Sequence, residues 1–296
     1  MTRAIPLVPS PSPRKSGRRG VGFSLTLGPP LLWVTVLYLV PLALLLIYAF
    51  WRYDPVQGET VRTLSLSNFQ EILTSSAYLK TIGRTVLVAA GVTLIDAIIS
   101  LPLAFFIARH GGKYRALLTV LVILPLWSSY LVRAFAWKVI LGTNGVLNGF
   151  LMAVGLLDKP SPLFLYSNFS TVLTFVHVWL PFMILPLITA FERLPQSLLE
   201  AGTDLGARPA TVFWRVTLPM VFPGLLAGGL SVFSLTMGDF ITPSLVGGTS
   251  SNQVGNLVAT QFGVSDNWPL GAAFSLVVIL IVVGVMALVQ RRAEAL

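Results

Sequence analysis

Long apolar runs separated by short polar segments dominate this chain. Six stand out, near residues 27–51, 82–108, 116–138, 169–190, 223–245 and 270–290. Crossing ~30 Å of hydrocarbon takes about 20 helical residues, and each run is long enough. A helix satisfies its own backbone hydrogen bonds where water is absent, so the pattern predicts six helical spans. No strict alternation of apolar and polar positions over ten residues appears, which argues against an outer-membrane barrel. The expected fold class is an all-α polytopic membrane protein.

The polar segments set the direction of the spans. Residues 1–24 carry Pro6, Pro9, Pro11 and Pro13 with the basic cluster Arg14, Lys15, Arg18 and Arg19, and are expected to form a disordered cytoplasmic tail ahead of a membrane domain over 25–296. The run that follows is longer than the 7–15 residues of a signal-peptide core and ends in no small-x-small cleavage site, so it is expected to remain as the first span. Thirteen of the 20 Lys and Arg residues fall in the N-terminal tail, the 109–115 turn, the 191–222 loop and the C-terminus, against seven elsewhere. The positive-inside bias then predicts both termini in the cytoplasm. Segments 52–81, 139–168 and 246–269 are expected to face outward, with an amphipathic piece from Asn68 to Leu79 along the interface. Trp51, Tyr53, Trp137 and Trp268 sit at span ends, where aromatic rings anchor in the interface.

Composition narrows the class further. Apolar residues make up 55% of the chain and charged residues only 10%, against about 25% charged in a soluble domain. Mean hydropathy is +0.82, so much of the surface must face lipid. The net charge of +9 is split into clusters between apolar runs, a pattern of orientation signals rather than of nucleic-acid binding. Cysteine is absent, which excludes disulfides, thiolate metal sites and cysteine nucleophiles. No Ser/His/Asp cluster or metal-ligand grouping converges on one face of the spans. No catalytic residue and no metal site are therefore expected.

The loop between the fourth and fifth runs is more than a polar link. Pro195 suits a first helical turn, and Leu194, Leu198, Ala201 and Leu205 recur at helical spacing. Gly206 stands where a glycine ends a helix, and a second short helix can run from Pro209 to about Val216, until Leu218-Pro219 stops it. Glu200 and Asp204 share one face at i,i+4. Two short helices at the membrane surface can dock another protein, or simply join two spans as a solvated turn.

These residues carry a family resemblance. The stretch EAGTDLGARPATVFWRVTLP, Glu200 to Pro219, resembles the EAA loop of binding-protein-dependent ABC importer permeases: Glu-Ala-Ala, three residues, Gly, nine residues, Ile, one residue, Leu-Pro. Glu200, Ala201, Gly202, Gly206, Val216, Leu218 and Pro219 fall at matching spacing. Gly202 stands for the second Ala, at about 1 kcal/mol of helix propensity, and Val216 for Ile. The resemblance implies six spans in a type I importer (MetI-like) permease fold. It also implies that the loop, with Asp204, couples to a cytoplasmic ABC ATPase dimer. The chain has no G-x-x-x-x-G-K-[ST] phosphate loop, since Gly111-Gly112-Lys113-Tyr114 lacks the first glycine and the hydroxyl. ATP is then expected on a separate subunit, with no cofactor on this chain.

Ionisable residues inside spans are functional candidates by default. Asp96 lies near the middle of the second run, His177 in the fourth and Asp239 in the outer half of the fifth. Asp96 is either functional or paired with a hydroxyl on the next helix, and a hydrogen bond to a neighbouring helix is the expectation for His177. Gly238 and Pro243 flank Asp239 as in a locally broken helix, where the carboxylate either draws a cation into the path or caps the break. Trp127, Tyr130 and Phe240 are candidates for cation–π contact with an alkylammonium. Gly224 and Gly228 form a small-xxx-small pair suited to close helix packing.

A second resemblance covers roughly residues 30–290. Leu124-Pro125-Leu126-Trp127-Ser128-Ser129-Tyr130, Arg133, Ala136-Trp137, Asn144-Gly145-x-x-Asn148, the run from Leu180 to Leu187, GDFITPSLVGG from Gly238 to Gly248, and Trp268 to Ala273 resemble the first permease subunit of the spermidine/putrescine branch. This implies a bacterial inner-membrane assembly with a second permease subunit, the ATPase dimer and an extracytoplasmic solute-binding protein, carrying a small cationic solute such as a polyamine. The same branch takes other amine-bearing or opine-like solutes. An ion-coupled secondary transporter, with Asp96 and Asp239 carrying coupling protons or ions, is the rival from another class; the ATPase-docking loop and the lack of an inverted second half within six spans oppose it.

Overall fold

The computed structural model describes residues 19–294. Most of the expected tail, residues 1–18, lies outside the described residues. The first span is a helix in three stretches: α1 (Arg19–Val34), a π-helical turn (Thr35–Leu39) and α2 (Val40–Tyr48). The π turn ends two residues before Pro41. A proline lacks an N–H and its ring crowds the carbonyl four residues back, and a widened turn relieves both conflicts.

The remainder forms a second unit, Tyr48–Leu296. It opens on a two-stranded hairpin, β1 (Arg52–Asp54) and β2 (Glu59–Val61), antiparallel with Tyr53 opposite Thr60. Gly58 closes its turn at φ +67°. The short α3 (Ser67–Thr74) follows, and Asn68 inside it is buried, donating from Nδ2 to the carbonyls of Ala49 (3.0 Å) and Trp51 (2.8 Å). The piece expected to run on to Leu79 along the interface instead stops at Thr74. Ser75 caps a new helix, α4 (Ser76–His110), through its side chain to the Tyr78 N–H. At 35 residues α4 is about 50 Å long, well beyond the hydrocarbon thickness.

Six crossings are not six straight helices. Among the described residues five helices are long and apolar enough to span a membrane, and a bent pair, Gly112–Trp127 with Tyr130–Ala153, makes the sixth if counted as one, its halves meeting at 91°. Here α5 (Arg115–Ile123) tightens into a 3₁₀ turn over Leu124–Trp127, and Ser128 and Ser129 are extended before α6 (Tyr130–Leu141) begins. Pro125 starts the tight turn and cannot donate to an α-helical ladder there.

The short α7 (Val146–Ala153) precedes α8 (Asn168–Arg193), the centre of the unit. In its most apolar window 56% of residues are buried, against 22% for α4 and 28% for the fifth span. A stripe on α4 (Thr85, Ala89, Val92, Asp96, Ser100, Ala104, Ile107) is buried at helical spacing. Val92, Ala104 and Ile107 join Phe175, Met183, Leu187 and Phe191 of α8 and Val221 and Val232 of the fifth span in one core. That packing requires glycine. A Cβ on Gly224 would lie 2.6 Å from Ala190 Cβ, and one on Gly228 would lie 2.9 Å from Met183 Sδ, as the small-xxx-small spacing predicts.

After α8 come α9 (Gln196–Asp204) and α10 (Pro209–Val212), then a π turn (Phe213–Thr217) and α11 (Leu218–Gly238). Leu218-Pro219 therefore does not end the second loop helix: Pro209–Gly238 is one apolar helix of 30 residues. The reason matches that at Pro41. The Leu218 N–H reaches the Phe213 carbonyl, five residues back, and this π turn lets the helix carry Pro219 without a break. The chain ends with α12 (Val254–Gly263) and the last span, α13 (Trp268–Glu294).

Candidate functional site

Two places carry the polar chemistry: the loop between α8 and α11, and the break at the end of α11. In the loop, α8 stops because Leu194 turns extended (φ −71°, ψ 117°) ahead of Pro195. The nine residues of α9 end in a Schellman motif: Gly206 N–H donates to the Thr203 carbonyl (2.9 Å), Ala207 N–H to the Gly202 carbonyl (3.2 Å), and Gly206 sits at φ +76°. The chain then reverses into α10. Gly202 faces that return, since a Cβ there would approach Val212 Cγ2 at 3.0 Å. An alanine at 202 gains helix propensity and loses room, which explains why glycine is tolerated.

The apolar positions that recur at helical spacing along α9 remain largely open. Leu194 is 3% exposed, but Leu198 is 41% and Leu205 88% exposed. Glu200, Ala201 and Asp204 are exposed as well, and Trp214 on the π turn is 65% exposed. Val216 and Leu218 are half-buried and Pro219 is exposed. Open leucines beside two carboxylates leave a surface that is both apolar and acidic.

At the break after α11, the helix ends at Gly238 and Asp239 is extended (φ −78°, ψ 130°). Its Oδ1 accepts the N–H groups of Ile241 (2.7 Å) and Thr242 (3.3 Å), and its Oδ2 accepts the hydroxyls of Thr242 (3.0 Å) and Tyr130. Tyr130 opens α6, so this carboxylate ties the two broken spans together. The Tyr130 ring stacks on Trp179 of α8, centroids 5.3 Å apart and planes 13° from parallel. Gly255 lets α12 come in behind, where a Cβ would lie 2.6 Å from the Asp239 carbonyl oxygen. Asn256 Nδ2 closes the turn on the Phe240 carbonyl (3.0 Å).

The predicted path residues thus separate. Asp239 and Tyr130 come together, with Asp239 7% exposed and both its oxygens occupied by donors of the chain. Phe240 (45%) and Trp127 (76%) are exposed. Asp96 is fully buried in the α4 stripe, and neither oxygen has a hydrogen-bond partner. The hydroxyl partner expected for it is not there. His177 accepts from Trp137 Nε1 at 3.0 Å, a link between α6 and α8. Sequence reasoning missed Thr242, Trp179 and Gly255. The first is visible in hindsight as a hydroxyl three residues after an aspartate, the spacing of a capped turn.

Comparison with known proteins gives these features a context. The family model described as "Binding-protein-dependent transport system inner membrane component" matches residues 100–294. The chain is 40% identical over 283 residues to the inner membrane ABC transporter permease protein YdcU of Escherichia coli (strain K12), covering 92% of this chain and 90% of that one. It is 36% identical over 244 residues to the spermidine/putrescine transport system permease protein PotB of Haemophilus influenzae, covering 82% and 84%. In fold it matches a chain of a bacterial alginate ABC transporter, solved with an alginate pentasaccharide-bound periplasmic protein. That match has a TM-score of 0.77 at 15% identity over 94% of this chain and 96% of that one.

Proposed function

The chain belongs to the family of binding-protein-dependent transport system inner membrane components, and from that membership we propose which solute it moves and how it is driven. It is a non-catalytic, multi-pass permease subunit of an ABC importer. The solute in our reading is a small polyamine of the spermidine/putrescine class, supported by the likeness to PotB over most of both chains. The assembly pairs this chain with a second permease, a cytoplasmic ATPase dimer and an extracytoplasmic solute-binding protein. Both termini lie in the cytoplasm, in keeping with the Lys/Arg bias.

The observation that carries the coupling role is the open face of α9. Glu200 and Asp204 beside exposed Leu198 and Leu205 offer charge and apolar contact to one partner. Ala201, Gly202 and Gly206 shape the short helix, and Leu218 and Pro219 join it to the span that must move. A carboxylate half-buried on docking meets donors of the ATPase in charge-assisted bonds. ATP-driven closure of the ATPase pair then moves the loop and the spans with it.

Along the path, Phe240 and Trp127 are the residues we assign to the solute, by cation–π contact worth about 0.5–2 kcal/mol each. Asp239 and Tyr130 hold the turn that carries Phe240, and Asp96 sits within the buried stripe of α4. The test is uptake in proteoliposomes holding the full complex and its binding protein. ATP-dependent accumulation of spermidine or putrescine is expected, with Glu200→Ala cutting uptake at least about ten-fold while expression and membrane insertion stay normal. Accumulation that follows a proton gradient without ATP would overturn the reading. ATP-dependent uptake of opine-like compounds alone would overturn only the solute.

A further inference from the structure

The loop between α8 and α11 is held at its root by a part of the chain that the coupling role does not mention. Arg109, at the end of α4, donates from its guanidinium to the Leu194 carbonyl, the last carbonyl before Pro195 and α9. Arg115, the first residue of α5, pairs with Glu192 at the end of α8. Between these links the rings of Phe105 and Phe191 meet edge to face, centroids 5.5 Å apart, with Phe191 fully buried. Three contacts thus tie the 105–115 corner to residues 191–194. Beyond them α9 stands off: a groove of about 330 Å³ separates Phe105, Arg109 and His110 from Gln196, Leu199 and Glu200.

We propose that the α4–α5 corner is the fulcrum of the coupling loop, with Arg109 and Arg115 as positioning residues. It grips Glu192 and Leu194 throughout the cycle while α9 swings about Leu194-Pro195 into or out of the groove. This rests on the coupling role proposed above and extends it. A lever joined only to α8 and α11 moves those two spans. A lever whose root is also bonded to α4 and α5 moves the second span and the bent third span with them. Both arginines count in the sequence as orientation charges, yet each has a bond across helices that orientation does not require. Leu194 is buried and extended, so its carbonyl has left the helical ladder and needs a donor, which Arg109 provides.

The absence of cysteine from the chain makes the proposal testable in the full reconstituted complex. Arg115→Glu and Glu192→Arg are each expected to lower solute carried per ATP hydrolysed by roughly five-fold, the scale of a half-exposed ion pair. The exchanged pair in one chain is expected to restore it, a recovery that a generally damaged fold would not show. The double variant Arg115→Cys with Glu192→Cys is expected to be bridged by a short bis-methanethiosulfonate reagent that spans the reach of the two replaced side chains, a gap a direct disulfide is too short to close, and to keep transporting while bridged. Failure to cross-link, or a block relieved by reduction, would overturn the fulcrum, because the contact would then be absent or have to open in each cycle. Loss of the co-purifying ATPase from the unmutated complex would instead sink the coupling role itself, so the two failures are distinct.

Discussion

At the scale of single residues, two positions carry conformations or bonds that few other side chains can supply. Gly206 holds φ +76° with open space around the position of a Cβ, so its substitution is opposed by backbone strain alone. Gly206→Ala is expected to cost about 1–2 kcal/mol and Gly206→Asn less, because asparagine tolerates the left-handed region. Thermal unfolding of the purified complex checks the order. Asp239 is the second position. Asparagine can keep the cap through its carbonyl oxygen, whereas alanine cannot, so Asp239→Ala is expected to lose about 1–2 kcal/mol and Asp239→Asn a fraction of that. If Asn leaves stability intact but abolishes transport of a cation, the charge acts on the solute and not only on the turn. Gly206 was legible in the sequence from its spacing after α9. The choice between cap and cation attractor at Asp239 was not, because it depends on Tyr130, 109 residues away along the chain.

At the scale of elements, glycines and prolines decided where pattern reading succeeded. Gly224 and Gly228 were recognisable as a packing pair, since small residues four apart leave a flat strip on a helix. Gly228→Ala is expected to destabilise the α8–α11 contact by about 1–3 kcal/mol, the range for overpacking a close-fitted site. Gly284, with nothing near a built Cβ, serves as the control and is expected to accept alanine without loss. A shift in melting temperature at 284 equal to that at 228 would count against the close-contact account. Prolines misled in two ways. Leu218-Pro219 reads as a stop but is carried through by a π turn, and Leu124-Pro125 lies inside the run 116–138, which reads as one span, yet begins the 91° break. Hydropathy sums over both cases alike, because it registers how apolar a segment is and not how its backbone donors are paired.

At the scale of the whole molecule, the apolar core draws on one face each of α4, α8 and α11, and the loop after α8 is mechanically continuous with it. The short helix α9 leaves Leu198 and Leu205 open. Among the described residues no internal partner covers this apolar face, which explains why the sequence there reads as amphipathic while its leucines stay open. Composition and run length were enough to recognise a polytopic membrane protein; the ATPase proposed as the occupant of the open face had to come from the resemblance in the loop. The central claim is that this face is gripped by a separate ATPase, and cross-linking tests it most directly. With Leu205→Cys as the sole cysteine in the chain, a short bifunctional thiol–amine reagent applied to the assembled complex is expected to join this chain to its ATPase subunit in high yield, while Val56→Cys in the hairpin turn does not. An adduct from position 56 and none from position 205 would contradict the account.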